Sequence, residues 1–418
     1  MRNEQLAISN EELAMSNEGK QSKLDELIQQ YCPDGVAYVA LETVCLISKG
    51  IQFNKKDMHD KGTYPVINGG INPSGYIEQY NQEEKTITIS QGGASAGFVN
   101  WLDTKFWAGA HCYVLKPTNN VLNRYLFHFV KSKEYKLQEC QYGAGIPALA
   151  KSTVASLEIP VPPLPVQREI VRILDNFTEL TAELTAELTA RRKQYEYYRD
   201  ALLSFVKVSP PLTFGLNNEK VRWTTLGEIA TDIFRGAGIT RDQITQSGIP
   251  CVRYGEIYTT YGVHFDKCVS HTRLEDIPSP KFFEHGDILF AITGESIEDI
   301  AKSTAYMGKE KCLAGGDIVV LKHKQNPKYL AYALSTTDAQ KQKGAGKVKS
   351  KVVHSSVPAI SELKIPVPSL AMQEKIANVL DNFDAICSNL KIGLPAEIEM
   401  RRKQYEFYRD RLLSFKCK

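Results

Sequence analysis

Residues 181–200 read TAELTAELTARRKQYEYYRD. A four-residue unit is written twice there, and the basic, tyrosine-rich tail returns as RRKQYEFYRD at 401–410. The segments 191–205 and 401–415 differ only at Tyr197/Phe407 and Ala201/Arg411. Upstream of each copy lies a second shared phrase, LEIPVPPLPVQREIVRILDNF (157–177) and LKIPVPSLAMQEKIANVLDNF (363–383). Farther back the likeness thins but keeps its order. VAYVALETV (36–44) parallels VRWTTLGEI (221–229), YPVING (64–69) parallels IPCVRYG (249–255), and AGAHCYVLK (108–116) parallels AGGDIVVLK (314–322). The chain is thus an internal tandem repeat, each half a variable globular part followed by a nearly constant helical part.

The helical parts carry an apolar stripe. After Gln167 it runs through Ile170, Leu174, Phe177, Leu184, Leu188, Tyr195, Tyr198, Leu202 and Phe205, interrupted only at Thr181 and Arg191. A heptad seam sustained that long implies a partner helix. In the second copy the stripe starts in phase at Ile376, Leu380 and Phe383, then resumes one turn out of step at Leu394, Ile398, Tyr405, Tyr408, Leu412 and Phe415. LDNF precedes RRKQ by 17 residues in the first copy and by 21 in the second, a four-residue stutter falling where Gly393 and Pro395 stand. Each helical region is the natural partner of the other.

The expected fold is therefore α+β: two globular mixed α/β domains separated by two long helical regions that form an antiparallel coiled coil, related by a pseudo-two-fold axis. The expected boundaries are an N-terminal helical extension over 1–31, a first globular domain over 32–163, a central helical region over 164–207, a second globular domain over 208–369 and a C-terminal helical region over 370–418. Runs such as KTITIS (85–90), CYVLK and DIVVLK read as strands punctuated by glycine. The IPVPP and IPVPS runs are expected to end each globular part, because proline interrupts helix and sheet alike.

At 418 residues there is room for two or three cored domains. A net charge of only +3 means that contact with nucleic acid would have to come from local basic patches. No run of 18 apolar residues occurs and the N-terminus is polar, so a cytoplasmic protein without membrane contact is expected. Nine scattered cysteines without a Cys-x-x-Cys pair fit reduced, packed thiols, and the eight histidines show no ligand spacing, so no metal is expected.

The tandem TAEL units, PLPVQREIVRILDNF, RRKQYEYYRD and GLPAEIEMRRKQYEFYRD together resemble the specificity subunit of type I restriction–modification enzymes, in particular its IC group with TAEL repeats. The resemblance covers nearly the whole chain. It implies two target-recognition domains reading a split, asymmetric double-stranded DNA target, and recruitment of two methyltransferase subunits and two restriction (motor–nuclease) subunits. It also implies no catalysis by this chain and no cofactor of its own, with S-adenosylmethionine, ATP and Mg on the partners. Two rival readings are a coiled-coil scaffold without sequence-specific DNA binding, and a nuclease or methyltransferase whose site escapes notice. The residues disfavour the enzyme. VPPL (161–164) and SPPL (209–212) lack the aromatic residue of an adenine-methyltransferase Asp/Asn/Ser-Pro-Pro-Tyr/Phe motif, and GAGK (344–347) lacks the rest of a P-loop.

In that resemblance the helices act as a spacer. One TAEL unit adds about 6 Å of helix and about 40° of net rotation, against a DNA rise of ~3.4 Å per base pair. Sequence readers need phosphate anchors and side chains that hydrogen-bond base edges. The first half offers Asn68, Asn72, Ser74, Tyr76 and Gln79 in NGGINPSGYIEQYNQ, Ser90, Gln91 and Ser95 in SQGGASAG, and Lys151. Matching places in the second half offer Arg253, Tyr254, Glu256 and Tyr258 in RYGEIYTTYG, Thr293 and Glu295 in TGESIED, and Lys343, Lys347, Lys349 and Lys351 in KQKGAGKVKSK. The constant cassette supplies candidates for partner docking or helix packing: Arg191, Arg192, Tyr195 and Tyr198, with their copies Arg401, Arg402, Tyr405 and Tyr408.

Overall fold

The computed structural model describes residues 22–143, 145–205, 221–345, 352–388 and 393–418. Residues 1–21, most of the expected N-terminal helical extension, lie outside them, as do Lys347, Lys349 and Lys351. Two compact units share the chain. The first runs to Glu183 and adds Ile398–Lys418; the second is Leu184–Glu397.

Two main sheets and a two-stranded ribbon build the globular part of the first unit. Strands Cys45–Lys49, Cys112–Pro117, Thr86–Ser90 and Val99–Leu102 lie in that order, all antiparallel. A smaller mixed sheet orders Tyr76–Ile77, Tyr64–Ile67 and Trp107–Ala108. Thr86–Ser90 is buried at every position because its sheet is covered on both faces. Ile87, Ile89, Tyr113 and Leu115 face a core capped by helix Asn123–Ser132, whereas Cys112 and Val114 face a second core with Ile67, Phe106 and Ala108.

The second unit repeats this plan with longer sheets. One orders Ala230–Arg235, Ile318–His323, Ile288–Ala291, Ser303–Tyr306 and His264–Phe265; the other orders Ile244–Thr245, Ser270–Thr272, Ile249–Val252, Cys312–Ala314 and Phe282–Phe283. The central registers correspond: Ile87 pairs with Leu115 in one unit and Ile288 with Leu321 in the other.

The proline runs depart from expectation. Glu158–Pro160 pairs antiparallel with Tyr38–Ala40, and Lys364–Val367 with Arg222–Thr225, so each run closes its domain as a strand. Both are two-stranded ribbons, where an outward edge tolerates a residue without an N–H.

The central helix is unbroken over Leu164–Ser204, 41 residues. In its TAEL region Leu184 and Leu188 are half-buried while the flanking Ala and Glu are exposed. Thr181 and Thr189 turn their hydroxyls back onto the carbonyls four residues earlier, which satisfies them within the helix. The C-terminal region is two 19-residue helices, Leu370–Ser388 and Leu394–Leu412. The stutter therefore falls at a helix restart. The Gly393 carbonyl accepts from the N–H groups of Ala396 and Glu397, and Pro395 occupies the first turn, where its missing N–H costs nothing. Among the described residues no helix is long and apolar enough to cross a membrane.

Candidate nucleic-acid interface

In each unit a buried glutamine locks the globular part to its helix. Gln167 accepts from Leu122 N at 2.8 Å and donates to Asn120 O at 2.9 Å and Pro162 O at 2.7 Å. Its copy Gln373 accepts from Asn326 N at 2.9 Å and donates to Gln325 Oε1 at 2.8 Å and Pro368 O at 2.9 Å. Both side chains are fully buried, so these bonds are structural. Tyr125 and Tyr329 add matching bonds to Pro160 O (2.9 Å) and Pro366 O (2.8 Å).

A second duplicated lock centres on an aspartate. Asp175 accepts from Arg124 Nε at 2.7 Å and His128 Nε2 at 2.8 Å, and the other nitrogen of His128 lies 3.0 Å from the Tyr405 hydroxyl. This network sets the tautomer: Nε2–H donates to Asp175, and Nδ1 accepts from Tyr405. Burial holds the His128 pKa below its ordinary value, outweighing the opposite pull of Asp175. In the second unit Asp381 accepts from Lys328 Nζ at 2.6 Å and Tyr332 Oη at 2.7 Å. Burial raises both aspartates, but the hydrogen bonds they accept outweigh it and leave each pKa below the usual carboxylate value.

The cassette tyrosines pack. Tyr408 stacks on Phe177 with ring centroids 5.3 Å apart, and Tyr198 stacks on Phe383 at 5.8 Å. These are equivalent pairs in the repeat. In the second unit Tyr198 meets Phe383 while Tyr195 and Arg191 lie beside Cys387, so the helices run antiparallel. Tyr195 is buried, and that burial raises its pKa. Arg191, Arg192 and Arg402 stay on the exposed side, Arg191 pairing with Glu187 at 3.5 Å. Arg401 is half-buried and donates to Gln404 at 3.2 Å.

On the first unit, loops converge at the strand ends. Asn68 Oδ1 accepts from His111 N at 3.0 Å, Gln91 N donates to His111 O at 2.8 Å, and Gly93 N donates to Pro147 O at 2.8 Å. Gly69 sits so close to the Gly92 carbonyl that a Cβ would lie 2.4 Å from it, which explains a glycine there. The segments around Asn68, Gln91 and Pro147 thus form one surface. Asn72, Ser74 and Lys151 are exposed, Gln91 and Ser95 half-exposed, and Tyr142 and Ile146 project as exposed apolar groups. Ser90 is buried inside the sheet and is corrected to a framework residue. Tyr76 and Gln79 belong to the smaller sheet and its exit.

In the second unit three candidates, Arg253, Tyr254 and Glu256, line an open cleft of about 660 Å³ together with Thr240, Arg241 and Asp317 among others. Glu256 lies buried in the cleft wall with its carboxylate occupied. It accepts from Ser270 Oγ at 2.6 Å, Arg253 N at 3.1 Å and Arg253 Nε at 3.3 Å. Tyr258 packs beside Gly294 and donates to Ala291 O at 3.3 Å. Thr293 is also buried, 3.2 Å from His354 Nδ1, and its two-residue strand pairs with Val353–His354, while Glu295 is exposed. The TGES segment therefore neighbours strand Val353–His354, as SQGG neighbours Pro147 in the first unit.

Lys343 is corrected outright. Its Nζ is buried, donating to Leu334 O at 2.7 Å and Ser303 Oγ at 3.3 Å, and burial drags its pKa down to about 7. Sequence reasoning missed Arg241, exposed on the cleft rim, and His111, which organises the first unit's loops. It also missed both polar locks. Their signal was the shared Gln and Asp inside phrases that otherwise drift.

A family model described as the type I restriction modification DNA specificity domain matches residues 33–191 and 218–400. The chain belongs to the type I DNA specificity family. The two matched stretches fall on the two repeats. Curated relatives include a putative type I restriction enzyme specificity subunit of Haemophilus influenzae, 28% identical over 86% of this chain and 90% of that one. The specificity subunit of a type I restriction enzyme of Escherichia coli is 29% identical over 86% of this chain and 89% of the relative. Among solved structures, the type I restriction–modification S subunit of M. genitalium superposes with a TM-score of 0.55 at 19% identity, covering 91% of this chain and 96% of that one. A chain solved to explain complex assembly and conformational transition of the type I restriction–modification system gives 0.56 at 18%, covering 91% and 98%. For this specificity chain the likeness to both fixes the fold.

Proposed function

We propose that the chain reads a bipartite, asymmetric double-stranded DNA target, one half-site per unit, with the gap set by the helices. The observation that carries this reading is one frame built twice with different tips. Gln167/Gln373, Asp175/Asp381 and Tyr125/Tyr329 make matching bonds in both units, while the strand ends carry Asn68 in one and Arg253 in the other. A protein reading two different half-sites needs that combination, because phosphate contacts position and base contacts specify.

The duplicated cassette offers two equal docking surfaces, which suits two methyltransferase subunits and, for cleavage, two restriction subunits. S-adenosylmethionine, ATP and Mg belong to those partners, and adenine flipping to the methyltransferases. Arg191, Arg192 and Arg402, exposed on the cassette, are the partner-facing candidates. Among the remaining DNA-facing candidates are Asn72, Ser74, Gln91, Ser95, Lys151 and Tyr254.

The test is to map methylated adenines in a genome expressing this chain with its methyltransferase. One split motif with a fixed gap is expected. Palindromic or ungapped methylation contradicts the reading, and a gel shift without sequence dependence in the partner's presence supports the scaffold alternative.

A further inference from the structure

We infer that Arg253 recognises a guanine in the half-site of the second unit, an assignment that rests on the DNA-reading role above. Strand Ile249–Val252 ends at the cleft, where the Val252 carbonyl is taken by Gly315 N at 2.8 Å. The next residue, Arg253, lines the cleft and is aimed by Glu256. That carboxylate is itself fixed by burial and by Ser270 Oγ at 2.6 Å. It engages Arg253 through Nε at 3.3 Å, and among the described residues neither terminal Nη group of Arg253 has a partner. A guanidinium held by its Nε edge presents its two Nη groups as a fork, the donor geometry that matches guanine O6 and N7 in the major groove.

The rest of the cleft suits the phosphate side of the same contact. Asp317 is neutralised by Arg235 at 2.8 Å, and Glu256 by Arg253, so neither leaves a free negative charge facing DNA. Arg241 and Tyr254 on the rim make no polar side-chain contact among the described residues. The first unit gives the contrast. Ile67 pairs with Ala108 as Val252 pairs with Ala314, so Asn68 stands where Arg253 stands. Its Oδ1 is occupied by His111 N at 3.0 Å, and an amide cannot present a fork of donors. The guanine preference therefore belongs to one half-site only.

The experiment compares methylation motifs and duplex binding for the complex of this chain with its methyltransferase, carrying wild-type chain, Arg253→Gln, Arg253→Lys or Arg241→Ala. Wild type should prefer guanine at one position of one half-site by about tenfold to a hundredfold. Arg253→Gln should reduce that preference to under about threefold, with the other half-site and the gap unchanged. Arg253→Lys, which keeps the charge but not the fork, should lose the preference while retaining most of the affinity. Arg241→Ala should weaken all sequences alike and make the salt dependence shallower. A split wild-type motif left unaltered by both Arg253 variants, or weakened equally at every position, overturns the assignment alone. A wild-type chain that yields no split motif overturns it together with the DNA-reading role.

Discussion

Within KQKGAGKVKSK, Lys343 turns inward to Leu334 O and Ser303 Oγ, and its pKa falls to about 7 from an ordinary 10.5. The unfolded chain then holds this proton more tightly than the fold does. Stability should accordingly rise as pH climbs from about 7 towards the ordinary lysine value, and the full burial cost is present below that window. Lys343→Met should flatten the rise by up to one proton in the pH dependence of urea midpoints; an unchanged slope contradicts the burial. Asp175 and Asp381 give a slope of the same sign in a lower pH window, but as a gain in stability and not as a relieved burial cost. Their lowered pKa values contribute stability above the ordinary carboxylate value near 3.8 and lose it as pH falls through the folded values beneath it. Gln373→Leu strands the Asn326 N–H and the Pro368 carbonyl and should cost about 2–3 kcal/mol, read from denaturant unfolding.

Elements were legible where the repeat and the periodicity agreed. The stripe from Ile170 to Leu202 predicts one long helix, and the helix is there because Ala, Glu and Leu favour it and Thr181 and Thr189 satisfy their hydroxyls within it. Other features depend on tertiary surroundings. Proline rules apply to central strands, whereas Pro160 and Pro366 sit in two-stranded ribbons. A lysine beside glycines reads as a solvated loop until Ser303 and the Leu334 carbonyl close over it. The Gln and Asp locks were visible as identical polar letters, but their partners, such as Leu122 N and Arg124, lie far along the chain. The stacked pairs carry a further prediction. Phe177→Ala and Phe383→Ala should each cost about 1–3 kcal/mol, because both rings are half-buried in equivalent stacks. A large loss at one position and none at the other would contradict the equivalence.

At the scale of the whole molecule, the duplication divides labour between constant and variable parts. Glutamine, aspartate and tyrosine locks hold each globular part on its helix, which leaves the strand-end loops free to differ without disturbing the frame. The central helix belongs in part to both units, Leu164–Glu183 to one and Leu184–Ser204 to the other, and the TAEL units straddle that division. In the proposed reading, their length is the variable that sets the gap between half-sites. The most direct test is to insert one further TAEL after Leu188 and map methylated adenines beside wild type. The same two half-sites are expected, with the gap lengthened by about one to two base pairs, since four residues add about 6 Å of helix against ~3.4 Å per base pair. Altered half-sites, or an unchanged gap in an active complex, would contradict it.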